Sequence, residues 1–152
     1  MRIHGRRLQG GGTLVNALAA NYSFVALYNE SSIGHILRVI NWFAASNTVA
    51  RVTAFFVTGT VGTLVSAGIA LFGGEGAAAG SIYSGTNTTA PPFGMVMNAL
   101  TNSLLSGTNQ PWFYIRPGLS LVFKNDTVNV AINANFVWED LEMSMLGPHE
   151  LE

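Results

Sequence analysis

The chain has 152 residues, no cysteine, seven Lys and Arg against eight Asp and Glu, and a formal net charge of −1. That length makes one domain that can bury a core of its own, and the charge balance excludes a nucleic-acid reader working through overall positive charge. The lack of cysteine excludes a disulfide framework, a thiolate nucleophile and a thiolate metal site, and leaves the compartment open.

At the front, Arg2, Arg6 and Arg7 precede Gly10-Gly11-Gly12-Thr13. No apolar segment of signal-peptide type follows the basic residues. The glycine run lacks the lysine and the upstream strand of a phosphate-cradling loop. Residues 1–12 therefore read as an N-terminal arm on a glycine hinge. Residues 13–140 are expected to form a β-sandwich domain, and residues 141–152 an acidic C-terminal tail.

Tyr22 to Tyr28 and Ile36 to Phe43 are rich in aromatic and branched residues, with Asn29, Ser31, Ser32 and Gly34 between them, and both predict strands. Val49 to Val57 follows Ser46-Asn47, and Leu64 to Phe72 follows the turn Gly59 to Gly62. From Val52 to Gly74 there are 23 uncharged residues, enough in length for a membrane span. Five glycines and interspersed Thr and Ser lower its hydropathy and break it at turns, so strands are expected and no membrane partner is assigned.

Residues 73–92 predict one or two long loops with a short strand near Ile82-Tyr83. In Met95 to Leu105, Val96, Leu100 and Leu104 recur every four residues, as in a short helix, while the Asn and Thr content leaves a strand open. Trp112 to Arg116 reads as a strand ended by Pro117-Gly118. Leu119 to Lys124 is followed by Asn125-Asp126 and then by alternation: Val128, Val130, Ile132, Ala134, Phe136 and Trp138 on an apolar face against Asn129, Ala131, Asn133, Asn135 and Val137 on a largely polar one. A period of two is a strand, and Asn-Asp predicts a hairpin joining the two runs. The sum is an all-β, antiparallel, jelly-roll-like sandwich of about eight strands.

Chemistry is sparse. His4, His35 and His149 lie in the arm, in a turn and in the tail, none at metal-ligand spacing. The body carboxylates Glu30, Glu75 and Asp126 fall in separate predicted loops, so a paired-carboxylate hydrolase has nothing in its favour. Arg38 and Arg51, inside apolar runs, are expected on exposed strand faces or paired to Glu30 or Glu75; an inter-subunit ion pair is the functional reading. The Asn-x-Ser/Thr matches at Asn21, Asn29, Asn87 and Asn125 carry little weight in so Asn-rich a chain. No catalytic residue, metal site or cofactor is assigned.

Trp112, Phe113 and Tyr114 cannot all face one side of a strand, so Trp112 and Tyr114 are candidate exposed contacts, suited to a subunit interface or a sugar platform oriented by Asn87, Asn102, Asn109 and Gln110. Between Leu8 and Trp138 only seven residues in 131 are charged. So neutral a body lacks the usual means of staying monomeric and is expected to be covered by copies of itself or by partners.

Phe24-Val25-Ala26-Leu27-Tyr28-Asn29, a polar turn with Gly34, and Ile36-Leu37-Arg38-Val39 resemble the opening of small β-sandwich structural proteins of tailed-bacteriophage virions. Pro117-Gly118-Leu119-Ser120-Leu121-Val122 leading to Phe136-Val137-Trp138-Glu139 resembles their closing segment. The resemblance implies a capsid decoration protein or a head or tail fibre module at the particle surface, without catalytic residues. The expected partners are its own copies in a trimer and the major capsid protein or another virion protein; docking through Arg2, Arg6, Arg7 and Leu8, which lie outside the resembling segments, is a separate expectation. The alternative is a receptor- or glycan-binding fibre module that takes a host surface glycan.

Overall fold

The computed structural model describes residues 7–30, 34–48, 50–71, 79–99, 104–107 and 113–142. Among them the alternating and apolar runs form twelve strands and no helix. In chain order these are β1 (Arg7–Val15), β2 (Tyr22–Tyr28), β3 (His35–Ser46), β4 (Ala50–Thr58), β5 (Thr63–Ala67) and β6 (Ile69–Ala70). They continue as β7 (Ser81–Asn87), β8 (Met95–Ala99), β9 (Leu104–Gly107), β10 (Phe113–Ile115), β11 (Leu119–Asn125) and β12 (Ile132–Glu142).

Two six-stranded sheets result. The front sheet runs β10-β3-β12-β1-β6, with β9 also on β3; the back sheet runs β5-β7-β2-β11-β4-β8. Every pairing is antiparallel, and none joins strands consecutive in the chain. Eight positions make the jelly roll: β1, β12, β3 and the β9/β10 edge face β2, β11, β4 and β8. β9 and β10 share one edge of β3, along Trp42 to Ala45 and Leu37 to Val39 respectively. β5, β6 and β7 extend both sheets beyond this frame. The expected sandwich is therefore present, with more strands than the eight expected.

The core lies between the sheets. Val25, Leu27, Val52, Leu121 and Phe123 from the back meet Leu37, Val39, Trp42, Ile132, Phe136 and Trp138 from the front, all buried. Phe123 is its centre, with ring centroids 4.9 Å from Phe136, 5.4 Å from Trp42 and 6.2 Å from Phe113. Full burial of each such side chain is worth about 2–3 kcal/mol. Gly68 carries the chain from β5 in the back sheet to β6 in the front, where a Cβ would stand 2.8 Å from Gln9 Oε1 and collide with the Trp138 indole.

Four expectations need correction. The final two strands are no hairpin: β11 pairs with β2 and β4, while β12 pairs with β1 and β3. The alternation begins as a strand only at Ile132, because Asn129 adopts φ 61° and turns the chain across the sandwich. Asn125 pins that crossing from inside, its Nδ2 donating to Ser23 Oγ at 2.8 Å and to the Val130 carbonyl at 3.1 Å. Asn29 does the same for the β2–β3 crossing, donating to the Ile115 carbonyl at 2.9 Å. Both asparagines are fully buried, so neither is a surface acceptor.

The second correction concerns the glycine run. It is no hinge, since Arg7 to Val15 pairs continuously with β12; only residues 1–6 of the expected arm fall outside the described residues. Thirdly, Leu141 and Glu142 complete β12 and do not begin a tail, because the alternation carries on past Trp138. Fourthly, residues 81–87 form a full strand whose Ser, Gly and Asn give little β signal; pairing with β2 and β5 supplies the order that propensity does not. Where helix and strand were both open, β8 occupies Met95–Ala99 and β9 Leu104–Gly107. The uncharged stretch from Val52 folds into β4, β5 and β6, and no helix among the described residues is long and apolar enough to cross a membrane.

Candidate functional site

The outer face of the front sheet is set by strand register. β1 contributes Leu8, Gly10, Gly12 and Leu14, paired in that order with Glu139, Val137, Asn135 and Asn133 of β12. The same four β12 residues pair on their other side with Arg38, Asn41, Phe43 and Ala45 of β3. The register shift between Val137 and Trp138 leaves Ile40 unpaired. That bulge lets Arg38 and Asn41, of opposite parity, share one face.

This face is nearly without charge. Gly10 and Gly12 bring no side chain of β1 to this face, and the space is taken by neighbours: a Cβ at Gly10 would stand 3.3 Å from Leu71 Cδ2. A Cβ at Gly12 would collide with the Ala134 carbonyl and Asn135, so the strands approach closely. Asn135 donates from Nδ2 to Asn133 Oδ1 at 3.2 Å, and both side chains are exposed. Leu14 is 61% exposed at one end. Beside it opens a cavity of about 260 Å³ lined by Leu14, Ala45, Ser46, Asn47, Ala131 and Asn133. Ile69 and Leu71 add exposed apolar surface at the β6 edge, 69% and 49% exposed.

The only ionic groups on this face, among the described residues, neutralise each other. Arg38 Nε and Nη2 donate to Glu139 Oε2 at 3.0 and 2.5 Å, with both side chains about nine-tenths buried. Burial alone lowers the arginine's pKa, but its hydrogen bonds to Glu139 and Tyr114 outweigh that and hold it above the ordinary value. Arg38 is thus buried and not on an exposed strand face, and it pairs with Glu139. Arg51 lies on an exposed strand face, with its Nε 3.9 Å from Asp126 Oδ2.

Of the proposed docking residues, Arg2 and Arg6 lie outside the described residues. Arg7 and Leu8 open β1 opposite Asp140 and Glu139, and the Leu8 carbonyl accepts from Leu71 N at 3.0 Å. Trp112 also lies outside the described residues. Tyr114 is half-buried against Ile36 and Leu141 at the Arg38 end of the face. Asn102, Asn109 and Gln110 are outside the described residues, and Asn87 is exposed on the opposite sheet.

The remaining titratable groups do not gather into a reactive cluster. His35 Nδ1 lies 2.6 Å from Asp140 Oδ1, and Asp140 Oδ2 accepts from Ala79 N at 2.9 Å. This dyad was missed because only Glu30, Glu75 and Asp126 were weighed as body carboxylates. Among the described residues no serine or threonine hydroxyl bonds to His35, and no group of three metal-ligating side chains forms. Glu30 accepts from Gly80 N at 2.9 Å, Asp126 bonds Arg51 N at 3.2 Å, and Glu75 lies outside the described residues. No known protein family, curated protein or solved structure matches the chain.

Proposed function

We propose that the chain is a structural protein of a bacteriophage virion: a jelly-roll capsid decoration protein that assembles as a homotrimer and stabilises the shell by multivalent contact. The observation that carries the reading is the twelve-position grid on the front sheet, in which glycine, asparagine and apolar residues surround one internally neutralised ion pair. A sheet face left to solvent in a monomer keeps dispersed charge to prevent association. This one has none to spare. Its exposed Leu14 and the recess beside that residue suit a second copy of the same chain. The resemblance of residues 24–39 and 117–139 to virion sandwich proteins supports the particle as the setting.

The test is the molar mass of the purified protein in solution across a wide concentration range, with co-sedimentation on bacteriophage particles. A stable oligomer that binds particles supports the reading. A monomer at every concentration, indifferent to particles, ends it. A sugar-selective signal on a glycan array would instead move the function to a receptor-binding fibre module.

A further inference from the structure

The back sheet carries a second feature, unrelated to the assembly face. Its outer surface holds a buried apolar cluster, Phe24, Ala26 and Val122, with Phe55, Val57, Val61 and Tyr83 packed around it. The turn containing Val61 and the chain beyond β7 rise as two walls. Between them lies a cavity of about 330 Å³ whose lining includes Phe24, Phe55, Val57, Val61, Pro92 and Val122, together with Asn87 and Lys124.

Lys124 is only 5% exposed. Its Nζ lies 2.6 Å from Asn87 Oδ1, 5.5 Å from the Phe24 ring centroid and 5.9 Å from that of Tyr22. No carboxylate pairs with it among the described residues. An ammonium has three donors, and one is satisfied by Asn87. Burying a cation without a counter-charge is unfavourable, and an apolar residue would serve the sheet better. Burial accordingly lowers the lysine's pKa. Asn87 Oδ1 also accepts from Thr89 N at 3.1 Å, which leaves its Nδ2 to donate elsewhere.

We propose that this cleft binds a small organic carboxylate with an apolar body. The carboxylate sits on Lys124 Nζ and Asn87 Nδ2, and the body lies between Phe24, Phe55, Val57 and Pro92. The volume accommodates on the order of ten non-hydrogen atoms. A single cation between apolar walls matches one negative charge; a phosphate dianion would be left half-compensated and poorly solvated.

Titration of the purified full chain with 3-phenylpropanoate, followed by amide chemical shifts, tests the proposal. The expected result is saturable shifts at Phe24, Val57, Val122 and Lys124 with a Kd of about 1 mM or tighter. The neutral 3-phenylpropanamide and inorganic phosphate should each bind at least about tenfold more weakly. Lys124→Met should lose carboxylate binding to the same degree while remaining folded and no less stable. Equal binding of the amide or of phosphate, no saturable shift with the carboxylate, binding of acidic peptides alone, or full binding by the Lys124→Met protein would each overturn it. The neutral probe decides the matter in the wild-type chain even if the variant does not fold.

Discussion

Glu139 of β12 stands directly opposite Arg38 of β3 and accepts from the arginine's Nε and Nη2 on one oxygen. Two charges separated by a hundred residues of sequence are thereby withdrawn from the outer face of the front sheet. Removing one partner leaves the other buried and uncompensated. Glu139→Gln is expected to lower stability by about 3 kcal/mol, whereas the double change Arg38→Met with Glu139→Leu recovers most of that loss. Urea denaturation at fixed protein concentration measures both, because the midpoint of an oligomer moves with concentration.

Asn135 lies at the middle of the grid between Gly12 and Phe43. Asn135→Arg places an unpaired charge where a second copy is proposed to sit, and its side chain is already exposed, so the fold tolerates it. The expected outcome is a shift of solution mass to that of a monomer, with an unchanged circular dichroism spectrum. An oligomer of undiminished mass would put the interface elsewhere.

The buried Lys124 links stability to pH. Its pKa in the folded chain is lowered below the ordinary 10.5 by burial. Between the lowered value and 10.5 the unfolded chain binds more protons, so stability rises with pH across that interval, and below it the full penalty remains. Lys124→Met should therefore be more stable than the wild type at neutral pH by about 1 kcal/mol. The gap should narrow as pH climbs toward 10.5, and paired urea midpoints follow it.

Trp138 donates its indole N–H to the Ala79 carbonyl at 3.0 Å, and Gly80 lies against the same ring at φ +121°. A Cβ at Gly80 would stand 2.6 Å from Trp138 Cε2, in a backbone conformation that L side chains rarely adopt. Gly80→Ala is expected to destabilise by about 2–3 kcal/mol. Trp138→Phe, which strands the Ala79 carbonyl and leaves a void, should cost about 2 kcal/mol. Thermal and urea midpoints report both.

Much of the candidate face was open to reading. Asn133, Asn135 and Val137 share one parity in a strand that the alternation marks plainly, and extending that parity reaches Glu139. Lys124 likewise shares parity with Val122 and Ser120, which aims it outward, but its surroundings are Tyr22, Phe24 and Asn87, which lie far away in the chain. Arg38's partner was hidden for another reason. The bulge at Ile40 changes which β3 residues face outward, and no local pattern announces it.

Period-two alternation, turn residues and the scarcity of charge come from short-range chemistry, so the sequence by itself determined an all-β chain, most strand positions and a surface poor in ionic groups. Partnership was decided only by the tertiary structure. In a jelly roll each strand bonds to strands distant in the chain, and the register that pairs Gly12 with Asn135 or Arg38 with Glu139 follows from packing two whole sheets around Phe123. A backbone hydrogen bond looks alike whichever strand supplies it, so the choice falls to the long-range burial of side chains.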